Sequence, residues 1–134
     1  MASTNVRFIN PPEMAMSPSY THVVEARGGR TAYISGQVAQ DKDGEIVGVG
    51  DFRAQTVQVF ENLTVALAAV GGTFAHVVKM TVFVTDMAQL RELRDVRNQY
   101  VNTAQPPAST AVEVSRLAHS DWMIEIEAVA VLPE

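Results

Sequence analysis

Apolar residues recur at three- and four-residue steps in two segments, and this spacing predicts two amphipathic helices. The first helix has Asp51 as its N-cap and Gly71-Gly72 as its C-terminal stop. The second begins after Asp86, in a capping-box-like sequence with Gln89, and must end before Pro106-Pro107. The apolar positions are Phe52, Val59, Phe60, Leu63, Leu67 and Val70 in the first helix and Leu90, Leu93, Val96 and Tyr100 in the second.

Runs rich in β-branched residues predict the strands. They are residues 21–26, 31–35, 46–49, 76–84, 109–115 and 122–132. The first two flank a tight turn at Gly28-Gly29, the third is an edge-strand candidate, and the fourth is apolar enough for a central strand covered on both faces. The order β-β-(β)-α-β-α-β-β predicts one α+β domain over residues 1–134, with a mixed sheet and both helices on one of its faces.

The last predicted strand has two unlike faces, because side chains alternate along a strand. One face is wholly apolar and carries Trp122, Ile124, Ile126, Ala128, Ala130 and Leu132. The other face carries Met123, Glu125, Glu127, Val129 and Val131. This second face has too many apolar side chains to be fully exposed to water and too many carboxylates to lie in a hydrophobic core. A subunit interface with a polar cavity explains both properties, and a solvated face with two surface glutamates is the alternative.

Composition adds a second reason to expect an oligomer. Only 19% of the 134 residues are charged, against roughly 25% in a typical soluble domain. The net charge of −5 argues against a nucleic-acid partner, and the absence of cysteine excludes disulfides and thiolate zinc sites. We find no apolar run of the roughly 20 residues that a membrane span needs and no secretory-signal pattern, so we expect a cytoplasmic protein without a membrane partner.

Residue types that often carry chemistry are mostly scattered. The three histidines are His22, His76 and His119. Their spacing matches no metal-binding motif, and the glycine pairs match neither the phosphate loop nor the dinucleotide fingerprint, so we expect no metal and no nucleotide cofactor. Arg91, Arg94 and Arg97 lie three residues apart with acidic residues between them, which is typical of a solvated helix stripe.

Glu125 and Glu127 are the best candidates for acid–base chemistry from the residues alone. They lie two apart on the same face of the last strand. A carboxylate in a cleft that excludes water can take up and return a proton during a reaction. Alternating glutamates are also common on ordinary strands, so the pattern alone leaves a structural role open.

Four segments together resemble the Rid family, the reactive intermediate deaminases that are also called YjgF or L-PSP proteins. They are SGQ at 35–37, KMTVFVTD at 79–86, PASTAVEVSRL at 107–117 and EIEAVAV at 125–131. The resemblance covers nearly the whole chain. It implies a chorismate-mutase-like α+β fold and a homotrimer whose sheets form a central barrel with clefts between subunits. It also implies an enzyme that hydrolyses small imines or enamines without a metal or cofactor.

The resemblance also implies roles for individual residues. Glu125 matches the glutamate that holds and polarises the attacking water. Tyr20 matches an aromatic wall of the cleft, and Gly36 matches a position with backbone contacts. Ala111 matches the residue whose backbone N–H contacts the substrate carboxylate.

Ser109 departs from the family pattern. Deaminating members have PAR where this chain has PAS, and their arginine grips the substrate carboxylate with two hydrogen bonds. A serine has one donor and no charge, and no replacement cation is evident from the sequence. The chain therefore resembles an arginine-lacking subgroup, in which Ser109 and Thr110 would contact a neutral or differently placed polar group.

Three functions are compatible with these observations. The first is a cofactor-free, deaminase-type hydrolase acting on a small imine, enamine or related reactive metabolite in an intersubunit cleft. The second is a small-molecule binding or regulatory trimer without turnover. The third, an RNA-cleaving translation inhibitor, is disfavoured by the net charge and by the lack of an evident basic groove.

Overall fold

The helices and strands are those of an α+β fold in a computed structural model that describes residues 5–134. The strands are β1 (Val6–Ile9), β2 (Val23–Ala26), β3 (Arg30–Gln37), β4 (Val77–Val84), β5 (Ala108–Glu113) and β6 (Ile124–Leu132). The helices are α1 (Phe52–Ala68) and α2 (Leu90–Arg97), and short 3-10 turns lie at Phe74–His76 and Met87–Gln89. Both predicted helices and the last three predicted strands are confirmed.

The main sheet is mixed, with strand order β3-β6-β4-β5. Strand β6 runs antiparallel to both β3 and β4, whereas β4 and β5 are parallel. Strand β4 is therefore internal, as predicted, but within the chain only one of its two faces is buried. Strands β3 and β5 form the two opposite edges, and this separation decides where the candidate site residues lie.

Both helices pack on the same face of this sheet. The Asp51 side chain caps α1 by accepting a hydrogen bond from the backbone N–H of Ala54 at 3.0 Å. Asp86 caps the 3-10 turn that leads into α2 by accepting from the N–H of Ala88 at 2.9 Å. The buried core joins α1, α2, β4 and β6 through Val59, Phe60, Leu63, Leu67, Met80, Val82, Val84, Leu93, Val96, Ile124, Ile126 and Ala128.

The N-terminal strands differ from the prediction in their pairing. Strand β2 does not lie in the main sheet but pairs with β1, which the sequence analysis missed, in a separate two-stranded sheet. The predicted turn at Gly28-Gly29 is present, and it carries the chain from one sheet to the other. Both glycines have positive φ, and a Cβ at Gly29 would overlap the carbonyl of Leu132. The predicted edge strand at 46–49 is wrong, since only an isolated bridge between Gln40 and Ile46 forms there.

The second face of the main sheet is not packed by either helix. Its side chains are Thr31, Tyr33 and Ser35 of β3, Lys79, Thr81 and Phe83 of β4, Thr110 and Val112 of β5, and Glu125, Glu127 and Val129 of β6. We call this the open face. Tyr33 is 82% exposed on it and Val112 is 37% exposed, whereas Val131, predicted on the same face, is buried. None of the helices in residues 5–134 is long and apolar enough to cross a bilayer.

Tyr100 supplies a testable feature of the packing between the helices. Its hydroxyl donates a 2.7 Å hydrogen bond to Oε2 of Glu61, and its ring stacks on Phe60. Desolvation, together with this hydrogen bond and the glutamate charge, raises the pKa of Tyr100 to about 12. The pKa of Tyr100 in the folded state exceeds the ordinary value of 10. The protonated Tyr100 hydroxyl therefore stabilises the fold fully below about pH 10, and this stabilisation is lost as the pH rises towards 12.

We therefore expect a tyrosine ionisation step near pH 12 in an alkaline absorbance titration of the folded protein. Tyr100→Phe should remove that step. A Tyr100→Phe titration that keeps a step of the same size near pH 12 would contradict the assignment to Tyr100.

Candidate functional site

Glu125 lies near the start of β6, on the open face and half-buried. Its register neighbour on β4 is Phe83. On the other side, β3 has an irregularity between Ile34 and Gln37, and Gly36 lies within it. A Cβ at Gly36 would overlap the Glu125 carboxylate. The carboxylate therefore lies directly against the backbone of β3, and only glycine at position 36 leaves it that space.

Gln55 positions the segment that leads into β6. Its amide is fully buried at the first turns of α1. It donates hydrogen bonds to the carbonyl oxygens of Asp121 (2.7 Å) and Gly48 (3.1 Å), and it accepts one from the N–H of Met123 (2.8 Å). These bonds fix the chain two residues before Glu125. Gln55 was not among the predicted site residues, although a polar amide one turn before Val59 on an apolar helix face is an identifiable signal.

A second group of candidate residues surrounds a cavity of about 250 Å³ on the helix-packed side of the sheet. The cavity is lined by Ser19, Tyr20, Val82, Met87, Leu90, Leu93, Arg94, Arg97, Ser109 and Ala111. Ser109 and Ala111 lie opposite Met80 and Val82 of β4, so they share the face that α2 covers. The N–H of Thr21 donates to the carbonyl of Pro107 at 3.3 Å, which holds the segment of Tyr20 beside the start of β5.

The predicted solvated stripe on α2 holds for Arg91 and Arg94, which are exposed, but not for Arg97, which is half-buried. The expectation that no cation lies near Ser109 is wrong, because Arg94 and Arg97 line the same cavity as Ser109. Nη1 of Arg97 donates a 2.8 Å hydrogen bond to the carbonyl of Ser19. Burial, and to a smaller extent the charge of Arg94, lowers the pKa of Arg97. Two cationic side chains therefore border the cavity at Ser109, where no cation was predicted.

The candidate residues form two groups within one chain. Glu125 and Gly36 lie on the open face, whereas Tyr20, Ser109 and Ala111 lie at the cavity on the opposite face. Thr110 is also on the open face, where its hydroxyl accepts a 2.8 Å hydrogen bond from Nζ of Lys79, but it is on β5 at the far edge from Gly36. A single chain therefore does not assemble all six residues into one site.

The histidines make local contacts rather than a cluster. Nε2 of His22 lies 2.6 Å from the carbonyl oxygen of Ala15. Nδ1 of His76 accepts from the N–H of Thr73, and Nδ1 of His119 accepts from the N–H of Asp121, each at 3.0 Å. Over residues 5–134, no three His, Asp or Glu side chains come together in an arrangement that could hold a metal ion.

Comparison with known proteins places this geometry among relatives of similar length. Residues 12–132 match the family model described as Endoribonuclease L-PSP. The chain is 40% identical over 119 residues to a RutC family protein of Pyrococcus horikoshii, covering 88% of this chain and 92% of the relative. It is 38% identical over 112 residues to Protein DfrA of Myxococcus xanthus, covering 84% of each chain.

Solved structures agree with the fold. A Rid family protein of unknown function from Yersinia pestis, YyfB, superposes with a TM-score of 0.89 at 39% identity, over 96% of this chain and all of the other. RidA from an Antarctic Psychrobacter superposes with a TM-score of 0.71 at 34% identity, over 80% of this chain and 85% of the other.

Proposed function

Because the chain belongs to the Endoribonuclease L-PSP family, also called Rid or YjgF, we propose that it is a cofactor-free hydrolase of small imines or enamines that works as a homotrimer. The observation that carries the proposal is the carboxylate of Glu125, held against the backbone of Gly36 on an unpacked face of the sheet. There we expect it to meet a water molecule and a substrate carbon.

The proposed reaction needs only a proton acceptor and a positioned water. Glu125 takes a proton from the water as the water oxygen bonds to the imine carbon, and the electron pair of the C=N bond passes to nitrogen, which receives that proton from Glu125 and so restores the carboxylate. The resulting carbinolamine transfers its hydroxyl proton to nitrogen and breaks the C–N bond. One water is consumed, and the products are a carbonyl compound and ammonia. An enamine enters the same sequence after protonation at carbon.

The trimer is proposed because it would bring the two groups of candidate residues together. Strand β3, which carries Gly36, and strand β5, which carries Ser109 and Ala111, are opposite edges of the sheet. A head-to-tail ring places the β5 edge of one chain beside the β3 edge of the next. The same ring covers the open face, where Tyr33 and Val112 are exposed. Each complete site would then use Glu125 of one chain and the cavity of its neighbour.

The function is tested by measuring ammonia release from imines that an amino-acid oxidase generates in the assay. We expect the protein to accelerate ammonia release and to have a solution mass of about 44 kDa, three times 14.5 kDa, by light scattering. Ammonia release at the uncatalysed rate from every imine and enamine supplied would overturn the hydrolase. A carboxylic acid that raises the Tm and is never consumed would then identify a binding protein instead.

A further inference from the structure

The cavity at Ser109 has an unbalanced positive charge. Its ten lining residues include Arg94 and Arg97 but no aspartate or glutamate. Within residues 5–134, the carboxylates that lie within 4.0 Å of an arginine pair with Arg7, Arg27 and Arg53, and not with these two. Two like charges three residues apart on one helix face repel each other. An anion in the cavity would relieve that repulsion.

The two arginines are held differently. Arg97 is fixed, because Nη1 donates to the carbonyl of Ser19 and Nη2 donates to Oδ1 of Asn98 at 3.0 Å. The Arg94 side chain is exposed, and within residues 5–134 its guanidinium makes no hydrogen bond or ion pair to another residue. Its guanidinium is therefore available for a ligand, while Arg97 adds positive potential from a fixed position.

The remaining walls limit the size and polarity of what binds. A cavity of about 250 Å³ holds the volume of roughly eight water molecules, so it suits a molecule of about that many non-hydrogen atoms rather than a nucleotide. Val82, Met87, Leu90 and Leu93 supply apolar lining in addition to the two arginines. This combination of cationic and apolar lining fits a small organic acid with an aliphatic side chain.

We propose that Arg94 binds the carboxylate of a small aliphatic acid in this cavity and so supplies, from α2, the cation that Ser109 does not supply from β5. The inference rests on the proposed function in one respect, which is that Arg94 would be the residue that orients the substrate. Arg97 supports the anion electrostatically, and the side chains of Val82, Leu90 and Leu93 contact the aliphatic group. The anion therefore keeps a cationic partner although the position at 109 is neutral.

The test compares Arg94→Gln with Arg91→Gln by titration calorimetry on the whole oligomer, with 3-methyl-2-oxobutanoate and its uncharged methyl ester as probes. Arg91 lies on the same helix and is exposed like Arg94, but it does not line the cavity, so it is the matched control. We expect the wild-type protein and Arg91→Gln to bind the acid equally and Arg94→Gln to bind it at least about tenfold more weakly. Arg94→Lys should keep part of the affinity, since it keeps the charge and loses the fork of donors.

Equal binding of the acid by wild type and Arg94→Gln, equal binding of acid and ester, or no binding of the acid by wild type at about 10 mM would each overturn the inference. The calorimetry measures binding without turnover, so its result is independent of the result of the ammonia assay. If the acid binds through Arg94 but no imine is hydrolysed, the proposed function fails and the inference about the cavity holds. If imines are hydrolysed with equal efficiency by wild type and Arg94→Gln, the proposed function holds and the inference about Arg94 fails.

Discussion

Glu125→Gln is expected to lower the rate of ammonia release from imines by about 100-fold or more, which is the usual contribution of a positioned general base. Glutamine has almost the same shape as glutamate, so it fits against Gly36 as the carboxylate does. It cannot accept a proton from water at neutral pH. The water would still be present, but it would attack the imine carbon without transfer of its proton to the protein.

Glu127→Gln is the matched control for this experiment. Glu127 lies two residues further along β6 on the same open face, opposite Thr81, and it is more exposed than Glu125. The substitution removes the same charge from the same face, so any general electrostatic effect on substrate capture is equal in the two variants. We expect its rate to stay close to that of the wild type. Equal rates for Glu125→Gln and wild type, with unchanged Tm, would remove Glu125 from the mechanism.

Much of the fold could be predicted because its elements have strong local signals. Helix α1 follows from apolar residues at helical spacing between a capping aspartate, Asp51, and a glycine stop. Strand β6 follows from strict alternation, which also identified the face that the helices leave open. In each case, the period of the element determines which side chains are buried, and that period can be read in the sequence.

Pairing between distant segments could not be predicted in the same way. Strand β2 adjoins β3 in sequence and would form a hairpin with it on local grounds, yet it pairs with the four-residue β1, which has too short a pattern to detect. Ser109 and Thr110 are neighbours in sequence, but they point to opposite faces of β5. Only the sheet order shows that the site residues are divided between two edges.

The cavity arginines were missed for a related reason. Three arginines at three-residue spacing on a short helix indicate an exposed stripe when only the helix itself is considered. What distinguishes Arg94 and Arg97 from Arg91 is the approach of the segment at Ser19 and Tyr20, which is about 75 residues away in sequence. The charge of the candidate site was therefore a property of tertiary packing, and no local pattern contained it.

A mixture of two inactive variants is expected to recover activity if each site is shared between two chains. Glu125→Gln removes the proton acceptor, and Ser109→Trp fills the cavity, so each variant alone has no complete site. In a hybrid trimer, an intact Glu125 from one chain can face an intact cavity from the next. Every hybrid trimer, whether it has one or two copies of each variant, has both intact halves at one of its three sites, so purified hybrids are expected to show about one third of the wild-type rate.

The experiment requires that the two variants be produced together with different affinity tags, so that hybrids are purified through both tags. The control is Glu125→Gln produced with the double variant Glu125→Gln/Ser109→Trp. Those hybrids contain intact cavities but no intact Glu125, and they should stay inactive at every ratio. Recovery in the first mixture and not in the second would show that the open face of one chain and the cavity of another form one site, because a site contained within a single chain would remain inactive in both.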